Sequence, residues 1–253
     1  MNRVLVPFAP SSEQAKIAEI LMTWDKAIEL YKKQIEKLKQ FKKICLKKMF
    51  PAKGQTVPEW RFKGFADDWE RRVFTEFARR VSTTSSARDL PRIEYEDIVS
   101  GTGLLNKDVF AKQSSRTGVV FNPGDVLYGK LRPYLQNWYR PDFSGLAIGD
   151  FWVLHPENIE SGFLYRLIQG SEFNEIVNRS TGTKMPRADW KLVSKTIFSI
   201  PALIDEQVHI CNHFNELEKL ITLYQRKLEA EQKRRKALQQ YLLNGIVRVD
   251  EHR

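Results

Sequence analysis

The feature that most limits how this chain can fold is a helical stripe that occurs twice. Taken every third or fourth residue, the first copy reads Ile17, Leu21, Trp24, Ile28, Tyr31, Ile35 and Leu38, and continues through Lys42, Cys45 and Met49. An offset of 193 carries Ile17 to Ile210 and Tyr31 to Tyr224, and the second copy reads Ile210, Phe214, Leu217, Ile221, Tyr224 and Leu228, then Glu231, Arg235, Leu238 and Leu242. Steps of four and three in alternation are the seam of a coiled coil. The lead-ins match too, because Glu13-Gln14 stands before Ile17 as Glu206-Gln207 stands before Ile210. A shared register with a shared Glu-Gln opening and a shared tyrosine points to duplication. The expected plan is therefore helix, insert, helix.

The expected boundaries follow from stop and start signals. Residues 1–10 form an apolar, strand-like lead-in bracketed by Pro7 and Pro10, and Thr196 to Pro201 has the same character before the second helix. The first copy has no domain ahead of it, so the chain reads as though it starts near the end of a missing one. The first helix spans residues 11–50, opened by Ser11 or Ser12 and Glu13 and stopped by Pro51 and Gly54. At 1.5 Å per residue it is roughly 55–60 Å long. A helix of that length needs a partner for its seam, and the second, about Asp205 to Leu243 within residues 203–253, is the expected one. The competing reading is that each stripe packs on the insert. Away from the seam the first helix carries Lys32, Lys33, Lys37, Lys39, Lys42, Lys43, Lys47 and Lys48, a solvated face, a protein-docking face or a DNA-backbone contact.

Residues 51–202 are the insert. It opens with an aromatic linker, Gln55 to Trp69, whose Trp60, Phe62, Phe65 and Trp69 are expected to pin it to the helix. Strands are expected at Ile93 to Ile98, Val119 to Phe121, Val126 to Tyr128 and Ala147 to Leu154, with Arg71 to Val81 a short helix or strand. Ile159 to Gly170 and Ser171 to Asn178 look helical. Short strands mixed with helices make an α+β domain.

A formal charge of +10 suits a polyanionic partner. Three insert stretches carry the residue types that read nucleic acid. Gly129 to Trp138 packs Lys130, Arg132, Tyr134, Gln136, Asn137 and Trp138 behind a strand. Arg and Lys match guanine edges, Asn and Gln match adenine, and aromatic rings stack or wedge. Ser180 to Arg187 offers Thr181, Thr183, Lys184 and Arg187 for phosphate contact. Lys112 to Thr117 adds Ser114 and Arg116, with the polar loop Ser82 to Arg88 as a weaker companion. Each stretch reads equally as an ordinary polar surface. No phosphate-binding GxxxxGK[ST] loop, methyltransferase motif, HExxH or paired-cysteine zinc pattern is present, so no catalytic constellation and no metal site are expected. Cys45 and Cys211 do not make a disulfide framework, and a reducing cytoplasm fits them.

PEWRFKGFADDW (Pro58 to Trp69), NPGDVLYGKLRPYLQNW (Asn122 to Trp138), TGTKMPRADW (Thr181 to Trp190) and IPALIDEQVHI (Ile200 to Ile210) together resemble the specificity subunit of type I restriction-modification systems. The resemblance implies an α+β chain with one mixed α/β target recognition domain inserted between two long helices that pair as an antiparallel coiled coil. It implies double-stranded DNA as ligand and a non-catalytic role, with methyltransferase and motor-nuclease subunits as partners. S-adenosylmethionine is then expected in the partner methyltransferase and no cofactor in this chain. The family usually carries two recognition domains, whereas this chain has one. That departure implies a half-length form, natural or a fragment, and a self-association that would restore two domains and a palindromic two-part site. The alternatives are a truncated decoy that binds methyltransferase without reading DNA, or an enzyme whose site leaves no motif.

Overall fold

The computed structural model describes residues 9–111, 115–179 and 185–249. In chain order the elements are helix α1 (Ser11–Lys48), strands β1 (Glu70–Val73), β2 (Ala78–Val81), β3 (Thr84–Ser85), β4 (Arg92–Ile93), β5 (Ile98–Val99), β6 (Leu104–Leu105), β7 (Gly118–Phe121), β8 (Val126–Gly129), β9 (Trp138–Tyr139), β10 (Gly145–Ala147) and β11 (Phe151–Pro156), helices α2 (Ser161–Leu167), α3 (Ser171–Val177) and α4 (Trp190–Val193), strand β12 (Ile197–Ile200), and helix α5 (Ile204–Leu243). They divide into two compact units, one of Met1–Lys43 with Phe214–Arg253, the other of Ile44–His213.

In the first unit α1 and α5 run in opposite directions. Their contacts are Tyr31 with Tyr224 (ring centroids 6.1 Å apart), Lys42 with Glu218 (2.6 Å) and Asp25 with Arg235 (2.9 Å). Every seam residue of this unit, Ile17 to Lys42 and Phe214 to Leu242, is buried or half-buried, as are Cys45, Met49 and Ile210 within the second unit. The offset of the repeat converts Asp25 into Glu218 and Lys42 into Arg235, so the two ion pairs are one pair seen twice, with the helices exchanged. A duplicated helix packed antiparallel on its own copy has an approximate twofold axis. A residue meets its own duplicate only near that axis, as Tyr31 and Tyr224 do.

The Glu-Gln lead-ins acquire a reason from the same relation. Arg248 donates to both carboxylate oxygens of Glu13 (2.8 and 2.7 Å), and Gln14 Nε2 donates to the Ala9 carbonyl (2.7 Å). In the second unit Arg61 donates to both oxygens of Glu206 (2.7 and 2.8 Å), and Gln207 Nε2 donates to the Pro201 carbonyl (2.8 Å). In each copy the glutamate clamps an arginine from the segment that follows the other long helix, and the glutamine ties down the chain that precedes its own helix. Arg248 holds Glu13 below, and Glu206 holds Arg61 above, their ordinary pKa values.

The second unit holds two four-stranded sheets. One is antiparallel, in order β2-β11-β8-β9, and the other is mixed, in order β3-β7-β10-β4, with β10 and β4 parallel. Ile93, Ile98, Val109, Phe121, Leu127, Ala147, Phe151 and Val153 form one buried cluster between them. A second, aromatic core joins Phe74, Phe77, Phe173 and Phe198, with Tyr128 against Phe173 and Trp152 against Trp190. The aromatic linker is packed down as expected: Trp69 is buried and donates to Glu206 (3.2 Å), and Phe62 and Phe65 lie against His209. Trp60 stays half out, with the Lys48 ammonium over its ring.

Several expected strands are cut differently. Ile93 to Ile98 is not one strand: Glu94 and Asp97 cap each other's backbone amides around a 3₁₀ turn at Tyr95–Asp97, which ends β4 and restarts the chain as β5. Ala147 to Leu154 breaks at Gly149, whose φ of +93° is open to glycine and strained for other residues. Arg71 to Val81 is two strands, β1 and β2, around a 3₁₀ turn. The lead-in at residues 1–8 lies outside the described residues. Among the described residues no helix is long and apolar enough to cross a membrane.

Candidate nucleic-acid interface

The segment between β8 and β9 is a closed loop with strained corners. Gly129 N–H donates to the Asn137 carbonyl (2.7 Å) and shuts its base. Between them Pro133–Leu135 makes a 3₁₀ turn flanked by Arg132 (φ 48°, ψ 63°) and Gln136 (φ 56°, ψ 48°), both left-handed. Each such residue costs about 1–2 kcal/mol, so neighbouring segments must impose the shape. Arg132 N–H donates to the Pro186 carbonyl (2.7 Å), and Leu131 bridges Arg187. Tyr95 Oη donates to the Leu131 carbonyl, and Gly101 N–H donates to the Gln136 carbonyl (3.0 Å). Lys130 N–H donates to the Asp150 carbonyl (2.8 Å), and its own carbonyl accepts from Ala188 N–H (2.8 Å). Four segments therefore meet here: the β5–β6 hairpin, the 130–137 loop, the turn at Gly149-Asp150, and residues 185–188.

The expected readers separate into two groups. Tyr134 and Arg187 are exposed, Met185 beside them is exposed, and Lys130, Arg132 and Gln136 are half-buried at the rim. Lys130 Nζ and Arg187 Nη2 flank the Asp150 carboxylate at 3.6 and 3.1 Å. Among the described residues Arg132 has no carboxylate partner, and its Nε is buried without a hydrogen bond. Asn137 and Trp138 differ from the expectation, at 3% and 4% exposure. Asn137 Oδ1 accepts from Ser100 Oγ (2.7 Å), and Trp138 opposes Tyr128 in the β8–β9 ladder. Both face inward because they hold the loop to its sheet, and neither is available to a ligand. Tyr95 sits beneath the loop, where burial pushes its phenol up.

Arg116 is exposed but engaged by Glu94 (2.6 Å). Its carbonyl is one of four bound by the buried Arg92 guanidinium, the others being Ser86, Ala87 and Leu90. Ser114, Thr181, Thr183 and Lys184 lie outside the described residues. Of the lysine face on α1, Lys42 pairs with Glu218 and Lys48 with Glu59, while Lys33, Lys37, Lys39, Lys43 and Lys47 are exposed.

Two parts of the site went unread in the sequence. The first is the tip of the β5–β6 hairpin, Ser100 to Gly103, with exposed Val99 and Leu104 on its flanks. Its signal was present, since IVSGTGLL is two apolar pairs around a small polar turn. Gly103 is required there, because a Cβ would lie 1.8 Å from Tyr165 Oη. The second is Asp150, a single carboxylate with no motif around it. The surface so built is cationic, carries one exposed aromatic ring and is shaped by backbone hydrogen bonds. Such a surface can take phosphates on Lys130 and Arg187 and present Arg132, Tyr134 and Gln136 to base edges. Among the described residues no three His, Cys, Asp or Glu side chains group to hold a metal ion.

Comparison with known proteins finds no matching family model. The type I restriction enzyme MjaVIII specificity subunit of Methanocaldococcus jannaschii is 24% identical over 98% of this chain and 63% of its own length. The EcoDI specificity subunit of Escherichia coli is 24% identical over 85% of this chain and 55% of its own length. Among solved structures, the HsdS subunit from Thermoanaerobacter tengcongensis superposes with a TM-score of 0.58 at 15% identity, covering 96% of this chain and 60% of that one. The chain thus spans about three fifths of the length of the proteins it matches. In sequence and in fold, and over nearly all of its own length, it is similar to the specificity subunits of type I restriction enzymes.

Proposed function

We propose that this chain is the DNA-recognition component of a type I restriction-modification complex, with the second unit as its target recognition domain. The observation that carries the reading is the cationic surface of Lys130, Arg132 and Arg187 around exposed Tyr134, held by four segments, in a chain whose relatives are named specificity subunits. Phosphate contacts supply affinity and base-edge contacts supply choice, and the loop carries both residue types. In this reading α1 and α5 pack as an antiparallel coiled coil, supported by the buried seam and the duplicated ion pairs. The chain has no catalytic role. Adenine methylation belongs to a partner methyltransferase that binds S-adenosylmethionine, and cleavage to a motor-nuclease subunit. A second copy supplies the second half of a two-part site.

The test is co-purification with a type I methyltransferase subunit from the same organism, followed by methylome sequencing. A methylated palindromic two-part motif that disappears when this chain is omitted is expected. Association without methylation would favour the decoy reading and refute this one.

A further inference from the structure

The cationic surface contains its own anion. Asp150 follows the positive-φ turn at Gly149, and its backbone carbonyl accepts from Lys130 N–H (2.8 Å), which ties the turn to the loop without need of the side chain's charge. The carboxylate is therefore spare as far as the fold is concerned, yet it lies 3.6 Å from Lys130 Nζ and 3.1 Å from Arg187 Nη2. It is partly exposed, as are both cations, so water and other anions can reach all three. Ion pairs this open are weak and exchangeable.

We propose that Asp150 is a specificity-determining residue that competes with DNA phosphates for Lys130 and Arg187, which rests on the DNA-recognition reading above. Phosphate contacts are the sequence-independent part of binding, and a random duplex has little else to offer. An internal carboxylate that occupies two of the three cations lowers that background. A target that also engages Arg132, Tyr134 and Gln136 can draw the cations away from Asp150. The background falls more than the specific complex does, and discrimination rises. Asp150 acts through the two cations, so it is a positioning residue and not a base reader.

The experiment uses the full chain in its assembled complex and two duplexes, one of random sequence and one carrying the motif read from the methylome, each titrated across salt. Asp150→Asn keeps the side-chain shape and removes the charge. It should bind the random duplex about 2- to 30-fold more tightly, from two released surface pairs. It should also steepen the salt dependence by up to about two, at roughly 0.9 per added phosphate contact. Tightening on the target should be smaller, so the ratio falls. In Asp150→Asn/Arg187→Gln about half of the added slope should vanish, which a merely structural role for Asp150 would not produce. Unchanged slope and affinity in an Asp150→Asn protein with wild-type melting would overturn the proposal. So would a loss confined to the target duplex, which would make Asp150 a base contact. Wild type that binds neither duplex would instead sink the DNA-recognition reading, and this inference with it.

Discussion

Glu206→Gln tests whether the duplicated Glu-Gln lead-in is a structural clamp. In the wild type Arg61 Nε and Nη2 donate to the two Glu206 oxygens at 2.7 and 2.8 Å, Nη2 also reaches the Asp67 carbonyl (2.6 Å), and Trp69 Nε1 adds a bond of 3.2 Å. The side chains of Arg61 and Glu206 are 13% and 2% exposed, so the pair is dry. Glutamine keeps the volume but removes the charge and turns an amide N–H toward a guanidinium that can only donate. Leaving one member of a buried pair uncompensated costs about 3–5 kcal/mol. In a chain of this size each kcal/mol moves the melting temperature by about 2–4 °C, so a drop of roughly 6–20 °C is expected. Tryptophan fluorescence should report the unfolding, since Trp69 is part of the cluster. Glu13→Gln is the matched control. It breaks the repeat-equivalent pair, but Arg248 is 59% exposed and solvent takes over its hydrogen bonds, so the melt should stay close to wild type. Both glutamates are buried, so equal losses from the two substitutions, or a Glu206→Gln melt within a degree or two of wild type, would refute the argument that burial of the arginine separates the two clamps.

Trp138→Ala should cost about 3–5 kcal/mol in a denaturant melt, because the ring is a buried ladder residue. Tyr134→Ala should leave the melt unchanged and weaken DNA binding, and Arg132→Ala should lose about 1–3 kcal/mol of preference at one base if that side chain reads a guanine. Burial holds His213 below its ordinary value of 6.5, so the unfolded chain takes up this proton first as pH falls. The contribution of a neutral His213 is therefore full above pH 6.5 and declines below it, and His213→Phe should flatten the difference in stability between pH 7.5 and pH 5.5. Gly103→Ala should displace the hairpin tip, because the added methyl meets the Tyr165 hydroxyl and the φ of +70° is strained; a wild-type melt and wild-type hydrogen exchange at Gly101 would contradict that.

The long helices were legible because a seam is a spacing, and spacing survives in one dimension. Cys45 and Leu242 are buried where the period put them. The Glu-Gln pairs were legible as a repeat but not as clamps, because their partners, Arg248 and Arg61, carry no matching offset. Within the second unit the strand stretches were visible, but their cuts depended on the reciprocal cap between Glu94 and Asp97 and on a positive φ at Gly149. The site was half legible. Residue type marked the 130–138 stretch, yet type does not say which face of a pleat a side chain takes, and Asn137 and Trp138 turned inward to serve Ser100 and Tyr128. Asp150 and the hairpin tip join the cluster only through tertiary contact.

Arg92 has a consequence for how the segments around it change over generations. Its guanidinium binds the backbone carbonyls of Ser86, Ala87, Leu90 and Arg116, and among the described residues it has no carboxylate partner. A carbonyl is the same whichever side chain sits beside it. The loops it anchors can therefore exchange almost any side chain without loosening their attachment, and mutation can sample new surfaces there on a frame that stays folded. The loop at 130–137 has no such licence, since its left-handed corners and buried Asn137 tie shape to particular residues. Sequence change should accumulate first in the segments that Arg92 holds.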